Sequence, residues 1–235
     1  MTLTSQAFAS IDLSELNIQL FRDLPPEQLN VLEEFLHRKK FAADTTLMTA
    51  EQAGEVVYFI VSGTVKVHIE QPDGGDVIVA ILGPGDVVGE MSALGQQNRS
   101  ASVVTLESSL LLWMDRGAFQ SCLRKVPGLA YNLACILATR IRNDNEKIQA
   151  LATQSVESRV ARQILFFADQ YGQPQPDGSI YVNIRLTQSD MASLIGASRE
   201  HVNRVMVSYK ERGYLSIDRQ FHLTVLNPAA LLKRC

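Results

Sequence analysis

The feature that most constrains this chain is a pair of short helical patterns joined across a single glycine, within residues 186–209. Thr187 followed by Asp190 is a helix-start signal, after which Met191, Leu194 and Ile195 share one face until Gly196 breaks the helix. Ser198 is a good cap for a second helix, with Val202, Val205 and Met206 on its apolar side. Arg199, Glu200, Asn203 and Arg204 then point outward near its N-terminal end. That is the layout of a helix-turn-helix, whose second helix carries base-reading side chains at that end. A guanidinium bonds guanine O6 and N7 together, and a carboxylate accepts from cytosine N4. The plain alternative is the solvated face of a surface helix.

Charge favours the DNA reading. The net charge is −3, but residues 1–150 hold 12 basic and 18 acidic side chains, whereas residues 151–235 hold 10 and 7. The positive excess therefore lies on the half with the helix-turn-helix, where phosphates have to be neutralised. With 235 residues the chain suits two modest domains, and 46% hydrophobic with 20% charged residues is ordinary for a soluble protein. The longest apolar runs, at 77–82 and 110–114, are too short to cross a bilayer, and the N-terminus has no basic region followed by an apolar core. A cytoplasmic location is expected. Cys122, Cys135 and Cys235 are odd in number and far apart, which indicates neither a disulfide framework nor a metal cluster.

Ahead of the helix-turn-helix the patterns change twice. Residues 16–41 form an amphipathic opening, with Pro25-Pro26-Glu27 at a helix start and Leu29, Leu32, Phe35 and Leu36 inward. From 45 to 114, short β-rich runs at 56–61, 64–69 and 77–82 alternate with glycine turns, the mark of an all-β sandwich or barrel. Residues 119–151 read as one long helix. In it Leu137, Ile141, Asp144, Ile148 and Leu151 recur at alternating spacings of four and three, a two-stranded coiled-coil seam with one carboxylate in it. Asp144 either fixes the register of that seam or meets a ligand at its centre. A further amphipathic helix at 156–171, a turn at 174–178, a strand at 180–184, and β runs at 214–217 and 221–226 complete a winged unit.

A ligand signal lies in GPGDVVGEMSALGQQNRSASVV, residues 83–104. Gly89-Glu90 is followed nine residues later by Arg99-Ser100-Ala101. An arginine beside a hydroxyl and free backbone N–H groups can clamp a phosphate, and a nearby carboxylate can accept from a ribose hydroxyl. The competing reading is a Glu90–Arg99 ion pair within a surface loop.

With these elements in this order, the chain resembles the CRP/FNR family of bacterial transcription regulators, and within it the cyclic AMP receptor branch, over roughly residues 20–226. The resemblance implies an α+β chain in three parts. A jelly-roll-like cyclic-nucleotide-binding β-roll with N-terminal helices spans 1–118, a dimerisation helix 119–152 and a winged helix-turn-helix 153–235. GDVVGE with RSA is similar to the family's phosphate-binding cassette, which assigns Glu90 to the ribose 2′-hydroxyl and Arg99 with Ser100 to the cyclic phosphate; Gly89, Met91 and Ser92 complete that set. SREHVNR is similar to the branch's recognition helix, which assigns Arg199, Glu200 and Arg204 to base contacts in a GTGA-type half-site, with Thr187, Gln188, Ser198 and Asn203 beside them. The resemblance further implies a homodimer on double-stranded DNA, RNA polymerase as a partner, cyclic AMP as allosteric ligand, and no catalytic activity.

Two departures stand out. Where the branch holds the base with Thr-Ser or Thr-Asn, this chain has Asp144-Asn145, followed by Glu146-Lys147. An aspartate accepts equally from the amine of adenine and from the N1 and N2 donors of guanine, which leaves cyclic AMP and cyclic GMP both open. A loop glycine common in the family is replaced within Ala50-Glu51-Gln52. Other classes fit less well. An iron–sulfur sensor needs cysteines near the N-terminus, and residues 1–50 contain none. A haem sensor would have only His68 in the roll, and a cupin-type metalloenzyme needs clustered ligands, whereas His37, His68, His201 and His222 are dispersed. The live competitor is a regulator of the same family that works without a nucleotide.

Overall fold

The computed structural model describes residues 13–72, 75–95 and 98–235. Two 3-10 turns, Leu13–Glu15 and Gln19–Phe21, lead into α1 (Pro26–Glu33), where Pro26 takes a first-turn position whose N–H would have no acceptor within the helix. Leu29 and Leu32 are buried beneath it. The amphipathic opening expected over 16–41 is corrected at its end, because His37–Phe41 is strand β1, paired antiparallel with β8 (Ser109–Asp115). Arg38, Lys39 and Lys40 are all exposed, so this edge strand carries no alternation of its own and takes its register from its partner.

Between them run β2 (Thr46–Met48), β3 (Val56–Ser62), β4 (Val65–Glu70), β5 (Asp76–Leu82), β6 (Val87–Val88), the short helix α2 (Glu90–Gly95) and β7 (Ser102–Thr105). They form two four-stranded sheets, ordered β1-β8-β3-β6 and β2-β7-β4-β5. The period of two in β3 explains the layering. Val57 and Phe59 face outward with Leu112 and Met114 onto Leu20, Phe21 and Phe119 of the flanking helical segments. Ile60 faces inward and packs with Met48, Val65, Val103 and Leu111 between the sheets. Both faces of the strand are thus buried, each large side chain contributing about 1.5–3 kcal/mol.

The region read as one helix over 119–151 is two. Asp115 caps α3 (Arg116–Lys125) by accepting from the Ala118 N–H at 2.8 Å, and α4 (Pro127–Thr153) begins after Val126. Pro127 has no N–H to continue the ladder and disfavours helical geometry in the residue before it, and Val126 sits at φ −120°, ψ 88°. Ser155 then caps α5 (Val156–Tyr171).

The C-terminal unit contains β9 (Gly172–Pro174), β10 (Ile180–Arg185), α6 (Gln188–Ile195), α7 (Arg199–Glu211), β11 (Leu215–Ile217), β12 (His222–Val225) and α8 (Pro228–Leu232). Its sheet runs β11-β12-β10-β9. Ile164 and Phe167 of α5 pack with Ile184, Met191, Val202, Val205 and Leu223, and the same apolar cluster takes in Ile78, Ile81 and Leu106 of the roll. The two halves therefore meet across a continuous core. Ser193 of α6 reinforces it by donating to the Asp76 carbonyl at 2.8 Å and accepting from the Ile78 N–H at 3.2 Å, which satisfies the edge strand β5.

Candidate functional site: a polar cradle and an exposed reading helix

The turn from β6 into α2 builds the floor of a cavity of about 960 Å³. Gly89 lies at φ +89°, and a Cβ there would stand 2.5 Å from Met48 Cε and 2.7 Å from Arg99 Nη1, so both the backbone and the space require glycine. This turn buries the Glu90 carboxylate, which is 2% exposed. Its partner is Arg140 of α4, whose Nη1 donates to Oε1 at 2.7 Å while Nη2 donates to the Val87 carbonyl at 2.6 Å. Glu90 is thus paired across elements with Arg140. The pairing with Arg99 inside a surface loop is not what the structure shows.

Arg99 is itself buried, at 8% exposure. Nη1 donates to the Gly89 carbonyl at 2.9 Å and to Ser92 Oγ at 2.7 Å, and Nη2 to the Val56 carbonyl at 2.6 Å. Burial draws its pKa below the ordinary arginine value, opposed by Tyr58, Glu90 and Glu55 nearby. Ser92 donates in turn to the Gly89 carbonyl at 3.2 Å, so it holds the arginine from below. Ser100 lines the cavity, and Met91, 60% exposed, lies on its rim. The Arg99 guanidinium, the Glu90 carboxylate and the Ser100 hydroxyl therefore line a single space, the combination that a phosphate joined to a sugar requires.

The far wall is α4. Asp144 lines the cavity and pairs with Lys147 at 3.5 Å, and Lys147 reaches toward the Val79 carbonyl at 3.4 Å. Asn145 is exposed on the adjacent face and is not part of the wall in this chain; Asn143 is. Arg140, Asn143 and Lys147 were missed by sequence reasoning. Arg140 stands one helical turn before Asp144 on the same face, a spacing that offered a signal. Along α4, Ile141, Ile148 and Leu151 are 62%, 66% and 52% exposed, leaving an apolar stripe at the predicted seam positions.

The second site is local in origin. Thr187 and Asp190 form a reciprocal capping box at the start of α6, and Gly196 ends it in the left-handed region at φ 62°. Arg159 of α5 donates to the Ile195 carbonyl at 2.7 Å, placing a cation at that helix end. Ser198 caps α7 by accepting from the His201 N–H at 3.3 Å. Val202, Val205, Met206 and Tyr209 are buried, which turns Arg199, Glu200, Asn203 and Arg204 fully outward. Thr187 and Gln188 are half-buried at the start of α6. In the wing, Asp218 Oδ1 accepts from the N–H groups of Gln220 and His222, both at 2.8 Å, and exposes Arg219 at the tip.

Residues 38–126 match the cyclic nucleotide-binding domain model, and residues 158–234 match the Crp-like helix-turn-helix domain model. The chain is 32% identical over 199 residues to the CRP-like cAMP-activated global transcriptional regulator of Mycobacterium tuberculosis, covering 85% of this chain and 88% of that one. It is 30% identical over 198 residues to the cyclic AMP receptor protein of Thermus thermophilus, covering 84% and 88%. The crystal structure of the Thermus thermophilus catabolite activator protein superposes with a TM-score of 0.52 at 29% identity, over 92% of this chain and 97% of that one. FixK2 from Bradyrhizobium japonicum shares the fold, with a TM-score of 0.72 at 18% identity over 84% and 96%.

A nucleotide-binding roll joined by a long helix to a winged helix-turn-helix defines a class of DNA-binding transcription regulators. The chain belongs to the CRP/FNR family of that class. Among the described residues no helix is long and apolar enough to cross a membrane.

Proposed function

We infer that the protein is a cytoplasmic homodimer that binds a cyclic nucleotide, cyclic AMP by the names of its relatives, and in response binds two-fold symmetric DNA of the form TGTGA-N6-TCACA to regulate transcription with RNA polymerase. It carries out no catalysis. The observation that carries this reading is the convergence of the Glu90–Arg140 pair and the buried Arg99 on one cavity whose far wall is α4. In that cavity Arg99 and Ser100 hold the cyclic phosphate and Glu90 accepts from the ribose 2′-hydroxyl. Gly89, Met91 and Ser92 shape the floor, and Asp144, with Asn145 of the opposite helix, meets the base edge.

The exposed stripe Ile141, Ile148 and Leu151 closes against a second copy and so brings two α7 helices to bear on one duplex, about 34 Å apart. There Arg199, Glu200 and Arg204 read base edges, while Thr187, Gln188, Ser198 and Asn203 orient the unit on the backbone. A ligand shifts such an equilibrium only by its differential affinity for the two arrangements, and moving it from mostly inactive to mostly active takes about 5.5 kcal/mol. Calorimetric titration with cyclic AMP and cyclic GMP side by side tests the reading. Saturable binding of one nucleotide per chain is expected, and no heat with either returns the protein to the nucleotide-independent alternative.

A further inference from the structure

Several contacts tie the roll to the winged unit, but one of them begins in the segment that also builds the cradle. Asp86, three residues before Gly89, is 7% exposed and lies in the turn between β5 and β6. Its Oδ2 accepts from the Tyr171 hydroxyl at 2.6 Å and from the Gly83 N–H at 3.0 Å. Tyr171 is the last residue of α5 and is 9% exposed. A Cβ at Gly83 would stand 2.7 Å from Ile184 Cγ2 and 3.0 Å from the Tyr171 ring, so the turn and the winged unit are packed without slack. The turn is rigid on its other side as well: Ile60 N–H donates to the Asp86 carbonyl and Gly85 N–H to the Ile60 carbonyl, both at 2.9 Å.

Arg140 joins this turn to the nucleotide cradle. It holds the Glu90 carboxylate with one nitrogen and the carbonyl of Val87, the neighbour of Asp86, with the other. It also lies close enough to Asp86 to favour its charged form. A ribose hydroxyl donating to Glu90 would share the carboxylate that holds Arg140, and Arg140 in turn braces the Asp86 turn through the Val87 carbonyl. From Asp86 the next contact is Tyr171, and α5 runs from there into the core beneath α6 and α7.

We propose that Asp86 and Tyr171 are positioning residues that carry occupancy of the cradle to the DNA-reading unit. This rests on the nucleotide-responsive reading above. The carrier is a hydrogen bond held away from water, so a small displacement of the turn either keeps the bond and moves α5 or breaks it and strands buried polar groups without partners. Interfaces of this kind settle in discrete arrangements rather than deforming continuously.

Tyr171→Phe keeps the ring against Gly83 and removes only the hydroxyl. The test measures the dissociation constant of the full-length protein for a TGTGA-N6-TCACA duplex, without nucleotide and with saturating cyclic AMP, and takes the ratio. Saturation removes any effect of weaker occupancy. The ratio in Tyr171→Phe is expected to fall roughly tenfold from that of the wild type. Asp86→Asn, which keeps an acceptor for the phenol, is expected to retain most of it. A contact that is merely structural lowers the melting temperature and leaves the ratio alone, so a Tyr171→Phe ratio within about twofold of the wild type overturns the proposal. Loss of the ratio in Asp86→Asn also contradicts the hydrogen bond as carrier. A wild-type ratio of one sinks the nucleotide reading itself, and this inference with it.

Discussion

Asp86 shows how one buried carboxylate makes stability depend on pH. Burial pushes its pKa up, while the Tyr171 hydrogen bond, Arg140 and the Gly83 N–H work against that rise. Because the folded pKa exceeds the unfolded one, the stabilising contribution is complete below the unfolded value, near 3.8, and is lost as pH rises through the folded value. Asp86→Asn cannot ionise. Urea unfolding at a series of pH values is therefore expected to show the variant gaining on the wild type across that window, and parallel curves contradict the assignment. At the other site Glu200 carries the sharpest test, because a carboxylate adds little affinity beside phosphates and acts mainly by selecting cytosine. Glu200→Ala is expected to relax preference at one base pair per half-site by about 1–3 kcal/mol without abolishing binding. Binding-site selection checks it, since an unaltered consensus means that α7 does not enter the groove.

At the scale of elements, local signals were legible and pairings were not. Thr187, Asp190, Gly196 and Ser198 announce the ends of α6 and α7 because capping and left-handed turns depend on a few neighbouring residues. Strands β3, β4 and β5 of the roll were visible from glycine spacing and β-branched runs. Strand β1 was not, since its polar residues pair with β8 on the far side of the roll sequence. Pro127 was in plain view, yet the apolar periodicity continued past it and concealed the break at Val126. The same distance problem hid half of the cradle: Arg140 meets Glu90 from 50 residues away, and Tyr171 meets Asp86 from 85. The exposed face of α4 carries its own prediction. Ile148 is 66% exposed on the stripe, so Ile148→Glu leaves the fold of one chain intact while placing like charges opposite each other in a two-stranded seam. For the proposed dimer, sedimentation is expected to show a dimer for the wild type and a monomer for Ile148→Glu, and an Ile148→Glu dimer moves the interface elsewhere.

The whole molecule is best described as two chemistries joined by a shared core. The roll presents buried charges to a cavity, the winged unit presents exposed charges to solvent, and Ile78, Ile81 and Leu106 bind the one to the other through the apolar cluster beneath α6 and α7. Thermodynamic linkage makes the proposed coupling reciprocal: whatever factor the nucleotide applies to DNA affinity, DNA applies to nucleotide affinity. On the proposed function, the cradle controls the reading helices. The most direct test is the affinity of the wild-type protein for the symmetric TGTGA-N6-TCACA duplex, measured at fixed salt by fluorescence anisotropy with and without saturating cyclic AMP. Tighter binding with the nucleotide by about 5- to 150-fold is expected, the usual range for coupled sites; equal affinity under the two conditions means that the cradle does not govern the reading helices.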